Sequence, residues 1–497
     1  MSDLEGLTLK TDCKDTKKNT NIKIFAQSYG NLQVFLYLCN EFGKTRMLPT
    51  DFIENLHSQF SPLEVQQLCQ ALQSTPVTSI RLNDKIDCLT FECDTDEVPW
   101  HEDGYYLSER PQFTLDPLFH AGCYYVQEAS SMFVECVLQQ YLSHDSVVLD
   151  LCAAPGGKST LISQFLGNEG LLVSNEVVRQ RVFILSENIQ KWGNGNTVVT
   201  HNQAADFGMR LPGVFDCILV DAPCSGEGMF RKDDGAIEEW SEDNVALCAN
   251  RQRKILGDAW DALRPGGILI YSTCTFNTDE NEDNALWIAD TLGATILPVD
   301  IHPSWGITEG KPGYHFYPHK TRGEGFYLCA LRKNGGEMGS VRSLEKRLPK
   351  CKPQSAQAVE QKEVIRSWLN HPDRWTLRQQ DRFIVAYPAK YKELIDILSR
   401  QFICISTGFG ICELRGKQAV PQHALAMAKD VKKSAFEQVE LSTEQALSYL
   451  RTEALVLENA PVGILMLTYQ QVPLGFVKNV GNHCNNLYPK EWRIRKL

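Results

Sequence analysis

Val147-Val148-Leu149-Asp150-Leu151-Cys152-Ala153-Ala154-Pro155-Gly156-Gly157-Lys158-Ser159-Thr160 reads as an apolar strand, a turn of small residues and the start of a helix. Glycine in such a turn lets backbone N–H groups approach a ligand closely, at a helix N-terminus that favours carboxylate or phosphate. Two nucleotide-binding patterns fail here. A P-loop needs a glycine where Cys152 stands, and the G-x-G-x-x-G fingerprint is absent. What remains is a turn suited to the amino-acid end of S-adenosylmethionine, beside the plainer reading of a tight strand-to-helix turn that needs glycine.

Outward from this stretch, residues 146–333 alternate between strand and helix patterns. Apolar runs occur at Val147–Leu151, Leu171–Ser174, Thr197–Thr200, Cys217–Val220, Ile268–Tyr271 and Phe326–Leu331. Helical patterns such as Val177–Lys191 and Asn244–Leu263 separate most of them. The rhythm predicts an α/β fold with a doubly wound, mostly parallel sheet. In such sheets ligands bind beyond the carboxyl ends of the strands. Glu176 closes the second run, where a carboxylate can accept from both ribose hydroxyls, and Asp206 follows the third, suited to an adenine amino group. Taken singly, each is also an ordinary strand-end residue.

Cysteine is usually a small buried hydrophobe, and Cys217 and Cys329 fit that role within apolar runs. Cys224, in Asp221-Ala222-Pro223-Cys224-Ser225-Gly226, and Cys274, in Tyr271-Ser272-Thr273-Cys274-Thr275, do not. They follow the fourth and fifth runs among Pro, Gly, Ser and Thr, so both face the expected ligand crevice. Methylation of a pyrimidine carbon is a chemistry that needs two thiols. Carbon 5 of cytosine is a poor nucleophile until a thiolate adds to carbon 6, and a base must afterwards remove the carbon-5 proton. Addition also needs a proton at ring nitrogen 3, which Asp221 supplies if the site retains its proton. Lys158 either lowers a thiol pKa, binds the base or a phosphate, or is a solvated lysine at a helix start. The turn Asp-Ala-Pro-Cys differs from the Asp/Asn-Pro-Pro-aromatic turn of amino-group methylation, which favours carbon over exocyclic nitrogen.

The chain has 497 residues, of which 43% are hydrophobic and 22% charged, so it can bury large cores unaided. Its net charge of −11 argues against a nucleic-acid binder if taken whole. The average conceals a split, with net −19 over residues 1–333 and +8 over residues 334–497. That split suggests an acidic catalytic part and a basic docking part, or a drift of surface charge. No apolar run approaches the ~18 residues of a membrane span; the longest, such as Val34–Cys39, are strand-sized. The first twenty residues are polar, without the apolar core of a secretory signal. An odd 17 cysteines, several in apolar runs, suit a reducing cytoplasm. The absence of any CxxC pair argues against structural zinc, and no metal is expected.

These residues resemble the Sun family of RNA cytosine-5 methyltransferases. The resemblance rests on Pro76–Asn83, Tyr125–Met132, the glycine turn, Asp221–Arg231, Arg264–Gly267 and Tyr271–Glu282. It rests above all on Pro223-Cys224 paired with Thr273-Cys274-Thr275. The tail, Gly475-Phe476-Val477-Lys478 and Asn486-Leu487-Tyr488-Pro489-Lys490-Glu491, is similar to that of the bacterial 16S ribosomal RNA branch, the methyltransferase F group. The resemblance runs from about residue 48 to the end. It implies a Rossmann-like S-adenosylmethionine-dependent core with a small N-terminal α+β domain and a C-terminal PUA-like RNA-binding region. Cys152, Ala153, Ala154, Pro155, Gly156, Gly157, Lys158, Glu176, Asp206 and Asp221 would contact the cofactor. Cys274 would be the nucleophile and Cys224 would assist product release.

The expected organisation is a leader at 1–46, an α+β RNA-binding domain at 47–118 and the catalytic domain at 119–333. A linker at 334–361, an intermediate domain at 362–434 and the PUA-like module at 435–497 follow. The resemblance implies a cytoplasmic monomer acting on 16S rRNA of the small ribosomal subunit or its precursor, with no membrane partner. Two other readings stand beside it: a transfer RNA methyltransferase, and an assembly factor that binds RNA without catalysis. Tyr314-His315-Phe316-Tyr317-Pro318-His319 is either a surface for stacking on RNA bases or a buried aromatic cluster.

Overall fold

Strands buried on both faces are the mark of a parallel sheet covered by helices, and the apolar runs of residues 146–333 form such strands. The computed structural model describes residues 47–86, 91–346, 359–416 and 418–495. The leader at 1–46 and residues 347–358 of the linker lie outside the described residues, as does Val34–Cys39.

A four-stranded antiparallel sheet comes first, built from β1 (Thr78–Leu82), β2 (Thr95–Val98), β3 (His101–Leu107) and β4 (Tyr124–Tyr125) in the order β2-β3-β1-β4. Two helices precede it. The first, Thr50–Gln59, buries Phe52 and Leu56, and Phe52 meets the rings of Phe230 and Trp240 edge-on at 5.0 and 5.7 Å. The second, Pro62–Gln73, opens on a capping box between Ser61 and Glu64.

The central sheet holds β5 (Val147–Asp150), β6 (Leu171–Asn175), β7 (Thr197–Thr200), β8 (Phe215–Asp221) and β9 (Leu263–Thr273) as parallel neighbours in the order β9-β8-β5-β6-β7. Chain order reverses at β5, which is flanked by β6 on one side and β8 on the other. That reversal opens the crevice in which doubly wound sheets bind ligands. β9 begins earlier than its apolar run, because Arg264-Pro265-Gly266-Gly267 is accommodated by a register shift against β8. Beyond β9 the sheet turns antiparallel through β10 (Ala294–Leu297), β11 (Thr308–Glu309), β12 (Tyr314–Phe316) and β13 (Phe326–Lys333).

In the basic C-terminal part, β14 (Trp375–Gln380) and β15 (Phe383–Pro388) pair with each other, and the helix Lys392–Gln401 follows. The next strand, β16 (Cys404–Thr407), leaves that neighbourhood and extends the central sheet antiparallel to β7. Phe402 just before it stacks on Phe207 at 4.9 Å, and Ile395, Ile397 and Leu398 are buried in the same core. β17 (Phe409–Arg415) and β18 (Gln418–Pro421) complete the sheet of β14 and β15. The last sheet is β19 (Glu437–Glu440), β20 (Gly463–Tyr469), β21 (Val472–Asn479) and β22 (Cys484–Asn486). Within it β19 comes first and the helix Thr443–Leu450 follows. Leu107, Phe113 and Tyr124 share a core with Leu441, Tyr449, Leu474 and Tyr488, so the first and last sheets bury each other's apolar faces.

Residues Tyr314–Tyr317 are buried. Phe316 packs on Trp100, Phe133 and Phe326 at 5.1–5.7 Å, and His315 stacks on Tyr317 at 5.0 Å. Of the two readings of that stretch, this is the aromatic cluster beside the last strand. Among the described residues, no helix is long and apolar enough to cross a membrane, and no group of His, Cys, Asp and Glu is placed to hold a metal.

The link from β16 to β17 passes through Gly408, whose N–H donates to Thr197 O on β7 at 2.9 Å. Its φ is +57° and a Cβ there would lie 1.9 Å from Ala386 O. Gly408→Ala is expected to cost at least about 2 kcal/mol of unfolding free energy, from left-handed strain plus this clash. Urea denaturation measures it, and an unchanged midpoint would show that β16 is not held as described.

Candidate active site

The carboxyl ends of β5, β8 and β9 emerge on the same side in a short stagger: Asp150 pairs with Leu219, two residues before Asp221, and Asp221 pairs with Ser272. Side chains from three chain segments therefore meet along one rim.

After β5 the chain turns through Leu151–Gly156 into the helix Gly157–Leu166. Gly156 has φ +120°, a conformation that other residues rarely adopt, and a Cβ there would sit 3.3 Å from Leu185 Cδ1. Arg81 braces this helix from β1. Its buried guanidinium donates to Gln127 Oε1 at 2.9 Å, Gln164 Oε1 at 2.8 Å and Thr160 Oγ1 at 2.6 Å, and it lies 4.3 Å over the Trp192 ring. Asp150 is buried. Ser159 Oγ donates to its Oδ2 at 2.6 Å, while its Oδ1 has no hydrogen-bond partner. Burial pushes the Asp150 carboxyl up to about 7, against the pull of Ser159. An orphaned buried acceptor at the end of β5 fits an ammonium-bearing ligand. The Cys152 thiol is driven well up by burial, which makes it an inert neighbour of the crevice.

Glu176 follows β6 and is buried; its Oε1 accepts from Val178 N at 2.9 Å, and Arg181 stands 3.6 Å from Oε2. Asp206 belongs to the start of the helix Ala204–Arg210. There it accepts from Gln203 N at 3.0 Å and pairs with Arg210 at 2.7 Å, so each carboxylate oxygen has one partner and keeps a lone pair for another donor.

Lys158 does not point to solvent. Its Nζ donates to Asp221 Oδ2 at 2.7 Å and lies 5.2 Å over the Phe326 ring. Burial works to lower the ammonium, but the Asp221 carboxylate outweighs it and holds Lys158 above its ordinary range. Ser272 Oγ donates to Asp221 Oδ1 at 2.8 Å, which ties the end of β8 to β9 two residues before Cys274.

Cys224 and Cys274 stand beside this pair with their sulfurs 3.1 Å apart, and Cys274 N–H donates to Cys224 Sγ at 3.4 Å. The two thiols have different charged neighbours. Lys158 is near enough to Cys274 to feel its charge. Cys224 is pushed well up, first by its hydrogen bond with Cys274, then by burial and by the carboxylate of Glu280. The four residues expected to do chemistry, Lys158, Asp221, Cys224 and Cys274, are thus brought together. Glu176 and Asp206 stand apart from them at the next strand ends.

Sequence reading passed over four buried polar side chains that hold the cysteine loops: Glu227, Gln252, Asn277 and Glu280. Their signal was faint: Glu227, Asn277 and Glu280 lie in the short polar stretches after the cysteines, and Gln252 in the middle of the helix Glu242–Ala259. Arg231 and Glu324, a buried ion pair at 2.8 Å, close the same region.

Three family models match the chain. They are described as 16S rRNA methyltransferase RsmB/F over residues 137–332, the N-terminal domain of 16S rRNA methyltransferase RsmF over 48–129, and the methyltransferase RsmF PUA domain over 436–494. Ribosomal RNA small subunit methyltransferase F of Salmonella typhi is 34% identical over 417 residues, covering 79% of this chain and 84% of the relative. The protein of that name in Salmonella agona shows the same figures. Among solved structures, NSun6 from Pyrococcus horikoshii with SFG superposes with a TM-score of 0.50 at 22% identity. It covers 59% of this chain and 100% of its own, a likeness of fold.

The differing charges beside the thiols predict unequal reactivity. Iodoacetamide at pH 8 is expected to alkylate Cys274 about tenfold faster than Cys224, read by peptide mass spectrometry at short labelling times. Equal rates would contradict the arrangement.

Proposed function

Because the chain belongs to the 16S rRNA methyltransferase RsmB/F family, it is an S-adenosylmethionine-dependent ribosomal RNA methyltransferase, and we propose that it forms 5-methylcytosine through a covalent adduct on Cys274. The observation that carries this reading is the pair of thiols 3.1 Å apart beside the Lys158–Asp221 ion pair. RNA binding alone has no use for two adjacent thiols at the mouth of a cofactor crevice.

The backbone of Cys152–Lys158 would hold the amino-acid end of S-adenosylmethionine, Glu176 its ribose hydroxyls and Asp206 its adenine amino group, with Asp221 bordering both ligands. When bound, that cofactor supplies the electrophilic methyl that carbon 5 takes, and leaves as S-adenosylhomocysteine. The target cytosine must leave its stack to reach the thiols. The Cys274 thiolate forms a bond to carbon 6 while ring nitrogen 3 takes a proton from the Lys158–Asp221 pair, so the ring's electron pair collects at carbon 5. After methylation Cys224 removes the carbon-5 proton. The electrons of that C–H bond restore the double bond, the sulfur–carbon bond breaks, and Cys274 departs as thiolate while nitrogen 3 returns its proton.

The shift of Cys224 suits this order of events. The largest cause holding its thiol protonated is its hydrogen bond with Cys274. Joining Cys274 to carbon removes its charge and weakens that bond, which relieves part of the upward push on Cys224 at the stage where a base is needed, while burial and Glu280 continue to act. The proposed substrate is 16S rRNA, free or in the small subunit or its precursor, met by a cytoplasmic monomer. The net +8 of residues 334–497 supports RNA docking by the C-terminal part.

Alanine variants separate the thiols. Cys274→Ala is expected to abolish methyl transfer and covalent RNA capture, whereas Cys224→Ala accumulates a protein–RNA adduct on gels. The reverse pattern would make Cys224 the nucleophile.

A further inference from the structure

The loops that carry the two thiols are held by carboxylates exchanged between them. Glu227, three residues after Cys224, reaches into the Cys274 loop. Its Oε2 accepts from Phe276 N at 2.7 Å and Asn277 N at 2.9 Å; its Oε1 accepts from Trp240 Nε1 at 3.0 Å and Asn277 Nδ2 at 3.1 Å. Glu280, six residues after Cys274, reaches the other way. Ser225 N donates to its Oε2 at 3.1 Å, Gln252 Nε2 to Oε2 at 2.7 Å and Asn277 Nδ2 to Oε1 at 2.9 Å. Both carboxylates are buried, Glu227 with 2% and Glu280 with 0% of its surface exposed.

Burying two carboxylates with no cation among the described residues in direct contact is costly and persists only when hydrogen bonds satisfy their oxygens. An apolar loop contact would hold the chain more cheaply. What the carboxylates add is direction: each pins backbone N–H groups one to three residues after the opposite cysteine.

We propose that Glu227 and Glu280 are positioning residues with separate tasks, Glu227 aligning Cys274 for attack on carbon 6 and Glu280 aligning Cys224 for release of the methylated base. The assignment follows the amides. Glu227 accepts from the two residues that begin the second position after Cys274, and Glu280 accepts from the residue next to Cys224. Gly228 N–H, beside Glu227, also donates to Cys274 O at 2.8 Å. Gln252 fixes Glu280 further by donating to Pro223 O at 3.0 Å as well. This inference rests on the adduct chemistry proposed above.

Glu→Gln tests it at constant shape. Every carboxylate oxygen here faces donors, so a glutamine amide sets N–H against N–H whichever way it is turned. Two RNAs separate the steps. A 16S rRNA transcript carrying 5-fluorocytidine traps the adduct and reads attack, because the fluorinated carbon has no proton to release. The unmodified transcript reads release, as adduct standing at steady state. Displacing a reacting group by a fraction of an ångström costs about tenfold or more, so Glu227→Gln should slow trapping on fluorinated RNA by at least about that factor. On the same grounds Glu280→Gln should trap within about threefold of wild type yet accumulate at least about tenfold more adduct on unmodified RNA.

Cofactor affinity, measured by calorimetry, should stay within about threefold for both, since neither residue borders the glycine turn. Glu227→Asp and Glu280→Asp keep the charge and withdraw it by one methylene, and should show the same split should a glutamine variant not fold. If both variants lose trapping and release in parallel, the carboxylates merely support the loops and the inference is overturned. If Cys224→Ala accumulates adduct and Glu280→Gln does not, the inference alone falls. If wild type traps no adduct on fluorinated RNA, the chemistry falls with it.

Discussion

Parallel register among β5, β8 and β9 decides where each reactive group can stand. Parallel pairing brings the three carboxyl ends out on one side, staggered by only two or three residues, so Asp150, Asp221 and Thr273 line one rim although they lie far apart in the chain. The reversal of strand order at β5 leaves that rim open on one side. Residues just past the rim, rather than within the strands, are then free to turn inward: the glycine turn, Cys224 and Cys274. The aromatic cluster of His315, Tyr317 and Phe276 closes the back of the Cys274 loop.

Polar groups buried along this rim are compensated in detail. Tyr271 OH donates to Gln252 Oε1 at 2.9 Å, Asn284 Nδ2 donates to the same oxygen at 2.7 Å, and Gln252 passes the chain of bonds to Glu280. Such networks are costly when incomplete and rigid when complete. Rigidity is what two thiols 3.1 Å apart require, because a small drift of either loop would misalign both. Asp150 Oδ1, at the end of β5, is an exception, buried without a hydrogen-bond partner.

The sheet and the paired cysteines were legible because both leave signals of local composition. Apolar runs ending in Asp, Asn or small residues marked the strands, and Cys224 and Cys274 stood out by lying beyond those runs. Glu227 and Glu280 were not legible. A lone glutamate in a polar loop resembles a solvated one, and the amides that hold it come from about fifty residues away in sequence. The edge strand β16 escaped for a similar reason, since nothing in Cys404-Ile405-Ser406-Thr407 names β7 as its partner. Lys158 was open between solvent and site until the sheet brought Asp221 within 2.7 Å. The charge split was legible, but not that the acidic and basic parts join, since the first and last sheets share one core.

The central claim is that Cys274, on the loop after β9, is the atom that bonds to the target base. The most direct measurement is to digest the complex formed with 5-fluorocytidine RNA by nuclease and trypsin, then locate the residual nucleotide by tandem mass spectrometry. The account predicts the added mass on the sulfur of Cys274, with Cys224 in the same sample unmodified. Nucleotide mass on Cys224, or on any other residue with Cys274 free, would contradict it.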